Sequence, residues 1–107
     1  MKRFGQVSRA KTAESLAQYK SYHANPILGV NEMIKACNLQ NYTIYNIGEY
    51  LFTYYEYVGN DYEADMAKMA ADPTTQKWWD LVIPLMDQFE IHGDGIWSDM
   101  EEIYHLN

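Results

Sequence analysis

Two neighbouring segments, NYTIYN and YLFTYYEYV, constrain the fold of this chain more than any other feature. Both are rich in aromatic and β-branched residues, which favour strands because their side chains pack well on a pleated surface. The tripeptide IGE separates the segments and contains a glycine suited to a tight turn. The sequence therefore predicts a β-hairpin shortly after Asn38, and with it an antiparallel sheet.

A helical pattern precedes the hairpin. Thr12 is a suitable N-cap for a first helix that runs from about residue 13 to His23. Asn25-Pro26 interrupts it, because proline disfavours helical geometry in the residue before it. Pro26 itself suits the first turn of a second helical piece. The apolar face of that piece comprises Val30, Met33, Ile34 and Cys37.

The chain after the hairpin is again helical. Asp61 can cap the stretch YEADMAKMAAD, which ends at Asp72. Pro73 fits the start of a further helix, in which Pro84 is a kink or a stop. HGDG predicts a mobile loop, and WSDMEEIYHL predicts a last strand.

The order of these elements predicts the fold class. Residues 2 to 8 alternate loosely without a helical stripe and predict a first strand, so the order is βαββαβ. Such an order predicts an α+β fold, a ferredoxin-like sandwich with an antiparallel sheet and helices on one face. Residues 1–107 fit a single domain. A small sheet leaves one face and its edges uncovered, which favours a homodimer.

Charge and composition limit the possible partners. The formal net charge of -7 argues against nucleic acid and anionic membranes, because both require clustered Lys and Arg. The chain contains 10 tyrosines and 3 tryptophans, which suit either a sheet core or an aromatic sugar pocket. A neutral small molecule or another protein is the better expectation.

Cysteine and histidine usage argues against disulfide and metal sites. Cys37 is the single cysteine and lies in an apolar helical pattern, which predicts a buried, inert thiol and favours a reducing cytoplasm. His23, His92 and His105 are widely scattered, and no H-x-x-x-H or C-x-x-C pair is present. These residues therefore predict no metal site.

Tyr19 and His23 are the first candidates for a functional site. They are four residues apart and lie on one face of the predicted helix, one turn from each other. Histidine can exchange a proton near neutral pH, while tyrosine donates hydrogen bonds. The same spacing also fits an ordinary helix end with a partly exposed histidine.

Further aromatic residues are candidates for the same pocket. Trp78 and Trp79 are adjacent and point about 100° apart on a helix, so that one can face a cavity while the other packs in the core. Tyr42 and Tyr45 lie on the first hairpin strand and can line the sheet, although core packing explains them equally well.

Read in order, these motifs resemble a known family. The chain looks like a member of the L-rhamnose mutarotase family in the order of its motifs. These are a strand, Y-x-x-x-H followed closely by a proline, NYTIY, an acidic aromatic strand, TQKWW and a closing DMEEIYHL. The likeness extends from KRFGQV to EEIYHLN. It implies a ferredoxin-like domain in a dimeric α/β barrel-type assembly, and interconversion of the α and β anomers of L-rhamnose without a cofactor.

The resemblance also implies roles for single residues. His23 would be the proton donor, and the sugar would contact Tyr19, Tyr42, Trp78 and Trp79. Our hypothesis is that His23 protonates the ring oxygen, while Tyr19 or a water handles the anomeric hydroxyl.

One stretch departs from the family pattern, and alternatives remain open. Ile27-Leu28-Gly29 stands where the family usually shows Trp-Pro-Glu, and residues 83 to 97 also look individual. The sugar could therefore be L-fucose or another 6-deoxy sugar. A non-catalytic sugar-binding module and a cofactor-independent oxygenase of similar fold are the competing hypotheses.

Overall fold

A computed structural model describes residues 1–88 and 95–107 of the chain. Four strands and four helices are present in these ranges, and a short 3₁₀ turn at Ile83–Leu85 follows the last helix. The strands are β1 (Lys2–Arg9), β2 (Leu39–Ile47), β3 (Tyr50–Tyr57) and β4 (Ser98–Asp99), and the helices are α1 (Ala13–Ala24), α2 (Val30–Ala36), α3 (Tyr62–Ala71) and α4 (Pro73–Val82).

The strands form one antiparallel sheet in the order β2-β3-β1-β4. This order confirms the predicted ferredoxin-like α+β fold, and β2 and β3 form the predicted hairpin. Burial alternates along β3, because every second residue from Leu51 to Tyr57 is buried and the residues between are half-buried. The buried residue Leu51 packs with Tyr19 of α1 and Trp78 of α4, so the helices cover this inner face of the sheet.

A β-bulge near Asn41 decides which side chains of β2 reach the inner face. Leu39 pairs with Tyr57, but Ile44 pairs with Thr53, so the register shifts by one residue between Gln40 and Thr43. Asn41 adopts a left-handed φ of 52° at this point. Since strand side chains alternate between faces, the extra residue keeps side chains on both sides of the bulge directed at the helices.

Capping side chains begin three of the helices where the sequence predicts. Thr12 Oγ1 accepts a hydrogen bond from Ser15 N at 2.9 Å, and Asp61 Oδ1 accepts one from Ala64 N at 3.1 Å. Asp72 Oδ2 accepts from Thr75 N at 2.8 Å, directly before Pro73 at the first position of α4. Helix α4 ends at Val82, which confirms Pro84 as a stop signal.

Helix α2 begins later than predicted. Its first residue is Val30 rather than Pro26, because Gly29 adopts a φ of 101°, a left-handed conformation that favours glycine. The amide nitrogen of Val30 then donates to the carbonyl oxygen of Ile27 at 3.1 Å. The prediction that Pro26 starts this helix was therefore wrong.

The last strand is much shorter than predicted. Only Ser98–Asp99 pairs with β1, and Met100 N donates one more hydrogen bond to Gly5 O at 2.8 Å. Beyond this point the tail continues without a strand partner in the described part of the chain, and Glu102 instead contacts Arg3 in a 2.7 Å ion pair. The strand predicted for WSDMEEIYHL was wrong after Asp99. Most of the predicted HGDG loop, residues 92–94, lies outside the described residues.

Two groups of buried side chains form the core. The first contains residues from α1, α2, β3 and α4, and the second contains residues from β2, β3 and α3 around the fully buried Cys37. Ile34 and Trp79 pack against both groups and join them. No helix within residues 1–88 and 95–107 is long and apolar enough to span a membrane.

Candidate functional site

A cavity of about 1430 Å³ lies between the inner face of the sheet and the helices. Every site residue predicted from the sequence lines it, which brings together side chains from three elements. These residues are Tyr19, His23, Tyr42, Trp78 and Trp79. This volume exceeds what a monosaccharide requires, so a bound sugar would occupy only part of the cavity.

Helix α1 contributes Tyr19 and His23 one turn apart, as the sequence predicts. Their ring centroids are 4.1 Å apart, and Nδ1 of His23 lies 2.7 Å from the backbone carbonyl oxygen of Tyr19. Burial lowers the pKa of His23 below its usual value, although the hydrogen bond to Tyr19 opposes this shift. Burial also raises the pKa of Tyr19. Both shifts favour the uncharged form of the group at neutral pH.

Helix α4 contributes the two tryptophans. Trp78 is buried in the core, and its ring meets the ring of His23 edge to face with centroids 4.9 Å apart. Trp79 is half-buried and also lines the cavity. Tyr22 contacts Trp78 from α1 but does not line the cavity.

Strand β2 contributes Tyr42, which the bulge at Asn41 turns toward the helices. Its ring stacks on that of Tyr55 with centroids 5.1 Å apart and an angle of 5° between the planes. Although part of Tyr42 is exposed, its hydroxyl end is desolvated, and this burial raises its pKa to about 12. Tyr45 pairs with Phe52 on the opposite face of the sheet, and it is also among the residues that border the cavity.

Sequence reasoning missed Tyr55 and Gln6, both of which line the cavity. The hydroxyl oxygens of Tyr55 and Tyr62 are 3.1 Å apart and share a hydrogen bond. The pKa of Tyr55 is raised, mainly by burial and secondly by this hydrogen bond. Gln6 Nε2 donates to Asp99 Oδ1 at 2.7 Å. Strand alternation assigns both residues to the inner face, but only once the pairing of β1 with β3 and β4 is known.

The charge of the cavity wall is low. The charged side chains among its described residues are Lys20 and Lys35, and both residues are exposed. No group of three or more potential metal ligands occurs within residues 1–88 and 95–107. His23 is thus the one described side chain of the wall that titrates near neutral pH.

Comparison with known proteins identifies the family. The family model for L-rhamnose mutarotase matches residues 3–106, which is almost the whole chain. The chain belongs to the L-rhamnose mutarotase family. Membership of the L-rhamnose mutarotase family implies a carbohydrate enzyme of the isomerase type. None of the curated protein sequences matches the chain significantly.

Solved structures support the fold. An L-rhamnose mutarotase from Formosa agariphila is 18% identical, with full coverage of both chains and a TM-score of 0.76. Tetracenomycin F2 cyclase from Streptomyces glaucescens is 9% identical over the full length of both chains, with a TM-score of 0.69. A NIPSNAP family protein from Agrobacterium tumefaciens is 17% identical, covering 79% of this chain and 82% of that one, with a TM-score of 0.57. At these identities the likeness concerns the fold alone.

The stretch that departs from the mutarotase pattern lies beside the cavity. Leu28 is 90% exposed, and Ile27 packs against the first core group. Among the described residues, this part of the cavity wall comes from Pro26 and Val30 on either side of the stretch. The departure thus alters the rim near the cavity more than its lining.

Proposed function

We propose that this member of the L-rhamnose mutarotase family interconverts the α and β anomers of L-rhamnose. The observation that carries the proposal is the composition of one cavity, in which a neutral histidine stands among tyrosine hydroxyls and tryptophan rings. Mutarotation transfers protons, breaks and re-forms the bond between C1 and the ring oxygen, and rotates the C1–C2 bond. A site with one proton-exchanging group and uncharged hydrogen-bonding neighbours meets this need without a cofactor.

His23 is the proposed catalytic residue. Ring opening requires that the ring oxygen gain a proton while the anomeric hydroxyl loses one, and closure on the other face of the aldehyde reverses both transfers. A positioned acid-base group contributes about 10²–10⁴-fold to such a step. Its contact with Trp78 and Tyr19 limits the directions in which the imidazole can turn.

The aromatic residues are the proposed sugar contacts. Trp78 and Trp79 offer apolar surface to the C–H face and the 6-methyl group of the sugar, whereas Tyr19 and Tyr42 offer hydroxyl groups for its polar edge. Because the pKa of Tyr42 is raised to about 12, its hydroxyl remains a hydrogen-bond donor at neutral pH.

Substrate choice is tested with a panel of sugars. NMR magnetisation transfer measures anomer exchange of L-rhamnose, L-fucose and L-mannose with and without protein, and L-mannose differs from L-rhamnose only by its 6-hydroxyl group. We expect the largest acceleration for L-rhamnose. If L-fucose exchanges faster than L-rhamnose, L-fucose is the preferred substrate and the mechanism stays the same. Sugar binding without accelerated exchange would favour a non-catalytic binding module.

We also propose a homodimer of the barrel type, in which two sheets face each other. The outer face of the sheet carries Phe52 and Tyr54 beside Tyr45 and Ile47, and the last two are 66% and 69% exposed. A second copy of the chain, packed through the same face, would cover these exposed side chains.

Sedimentation equilibrium tests this assembly. The parent should have about twice the chain mass of 12.5 kDa. Lysine at both Tyr45 and Ile47 should shift the equilibrium to the monomer, whereas lysine at Leu81 on α4 should not. A parent that remains monomeric at high concentration would contradict the proposal.

A cytoplasmic location is proposed on the state of the single cysteine. Cys37 is a free, fully buried thiol, and such residues are stable in a reducing compartment. Cell fractionation with a periplasmic marker protein tests the cytoplasmic location. Recovery of the protein in the same fraction as the marker would contradict it.

A further inference from the structure

The hydrogen bond between His23 and Tyr19 determines which ring nitrogen carries the proton. Nδ1 of His23 is 2.7 Å from the carbonyl oxygen of Tyr19, and a carbonyl oxygen can only accept. Nδ1 must therefore donate. A neutral imidazole holds a single N–H, so the other nitrogen, Nε2, has a free lone pair.

The surroundings of His23 keep this neutral form dominant. Its ring contacts Tyr19 on its own helix and Trp78 on α4, and neither is charged at neutral pH. The charged groups of the described wall are Lys20 and Lys35, both of which are exposed, so no carboxylate of the described wall faces the ring to stabilise an imidazolium. Burial lowers the pKa of His23, so the free ring is a base above its pKa and an acid only after it has taken a proton.

The described part of the cavity wall contains no second proton acceptor suited to neutral pH. No Asp or Glu side chain belongs to the wall within residues 1–88 and 95–107. The hydroxyls of Tyr19, Tyr42 and Tyr55 all have raised pKa values, which makes them donors of hydrogen bonds but poor proton acceptors.

From this geometry we infer that His23 begins the reaction as the base, with Nε2 taking the proton of the anomeric hydroxyl, and completes it as the acid. The inference rests on the proposed mutarotase function and supplies its base. The hypothesis based on the family resemblance gave His23 the acid step alone and left the base to Tyr19 or a water. The structure assigns both steps to one side chain.

The proton and electron movements balance within this scheme. Nε2 takes the proton from the anomeric oxygen, and the imidazole becomes imidazolium. The C1–O1 bond becomes a carbonyl as the bond between C1 and the ring oxygen breaks, and that bonding pair stays on the ring oxygen. The imidazolium returns its Nε2 proton to the ring oxygen, which yields the open aldehyde and neutral His23. Rotation about C1–C2 and the reverse steps give the other anomer.

Nitrogen-15 NMR of the sugar-free protein, labelled at histidine, tests the tautomer directly. At pH 7.5 we expect His23 Nδ1 to resonate as a protonated nitrogen and Nε2 as an unprotonated one. The spectrum of His23→Gln assigns the signals against those of the other two histidines. A proton on Nε2, or an imidazolium at this pH, would overturn the inference, whatever the sugar.

The pH profile of catalysed exchange tests the base role. After subtraction of the spontaneous rate, kcat/KM for L-rhamnose should be level above the NMR-measured pKa of His23. Below it, kcat/KM should fall about tenfold per pH unit as the base is protonated. If kcat/KM instead rises as the pH falls through that pKa, the reaction begins with protonated His23 acting as the acid, and the inference is refuted. The expected tautomer without any accelerated exchange would instead refute the proposed function, and the base role with it.

Discussion

Asn41 Nδ2 donates a 2.9 Å hydrogen bond to Glu56 Oε1 across the point at which β2 and β3 shift register. Gln40 Nε2 donates to the same oxygen at 3.0 Å, so one carboxylate holds both residues of the bulge. The bulge in turn directs Tyr42 toward the cavity. The position of a proposed sugar contact therefore depends on the exposed asparagine that precedes it in the chain and itself borders the cavity.

Replacing Asn41 tests this dependence. Asn41→Val should destabilise the protein by about 1–2 kcal/mol, because a β-branched residue is strained at a φ of 52°. It should also weaken L-rhamnose binding, since Tyr42 loses its fixed direction. Asn41→Gly is the matched control, because glycine accepts this φ, and should retain more of the affinity despite losing the same side-chain bond. Equal affinity of the valine variant and the parent would contradict the role of the bulge.

Removing the Tyr42 hydroxyl should affect binding rather than stability. Tyr42→Phe keeps the ring that stacks on Tyr55 but removes the proposed donor to the sugar. An ordinary hydrogen bond contributes about 0.5–1.5 kcal/mol, so the Kd for L-rhamnose should rise about 2- to 13-fold. Calorimetric titration measures this change. Tyr22→Phe, which alters a residue outside the cavity wall, should leave Kd unchanged, and an unaltered Kd for Tyr42→Phe would remove Tyr42 from the site.

The bond between Tyr57 and Asp65 should make stability depend on acid pH. Tyr57 Oη donates to Asp65 Oδ2 at 2.5 Å, and this bond, with a second from Asn38, lowers the pKa of Asp65 below its usual value. A lowered pKa adds stability above the unfolded-state value, and that stability is lost as the pH falls through the folded value.

Thermal unfolding at pH 7 and pH 3 measures this effect. Tyr57→Phe should lower the midpoint at pH 7, and the difference from the parent should shrink at pH 3. Tyr62→Phe is the control, because it loses a bond to the neutral Tyr55 hydroxyl, so its effect should not depend on pH. If Tyr57→Phe lowers the unfolding midpoint by the same amount at both pH values, the bond does not link the ionisation of Asp65 to stability.

Gly59 should tolerate no side chain. A Cβ atom there would lie 2.4 Å from the Tyr57 hydroxyl and 2.8 Å from Asn38 Nδ2. Gly59→Ala should therefore destabilise the protein by about 1–3 kcal/mol in chemical unfolding. Gly5→Ala provides a comparison, because its nearest neighbour, Met100 Cε, would be at an ordinary 3.4 Å. A Gly59 variant as stable as the parent would show that Tyr57 can move aside at little cost.

Local sequence patterns predicted most of the elements because their signals are local. Thr12, Asp61 and Asp72 each bond an amide within their own helix, and the hairpin depends on residues adjacent in the chain. Pairing of β4 could not be predicted in the same way, because alternation continues past Asp99 while the ladder with β1 does not. The start of α2 was missed because Pro26 and Gly29 both suit a helix start.

The candidate site could be predicted only in part for a similar reason. Spacing on α1 brings Tyr19 and His23 together, and the family resemblance adds Tyr42 and the tryptophans. Tyr55 and Gln6 reach the cavity through register between distant strands, which no short motif encodes. The tautomer of His23 depends on a backbone carbonyl, whose position is a property of the helix rather than of any side chain.

Anomer exchange of L-rhamnose, followed by NMR magnetisation transfer at pH 7.5, tests the central claim most directly. The parent protein should accelerate exchange above the spontaneous rate. His23→Ala should lose about 10²–10⁴-fold of that acceleration, while Tyr22→Phe on the same helix should keep it. If His23→Ala exchanges the anomers as fast as the parent, His23 is not the catalytic residue and the account is wrong.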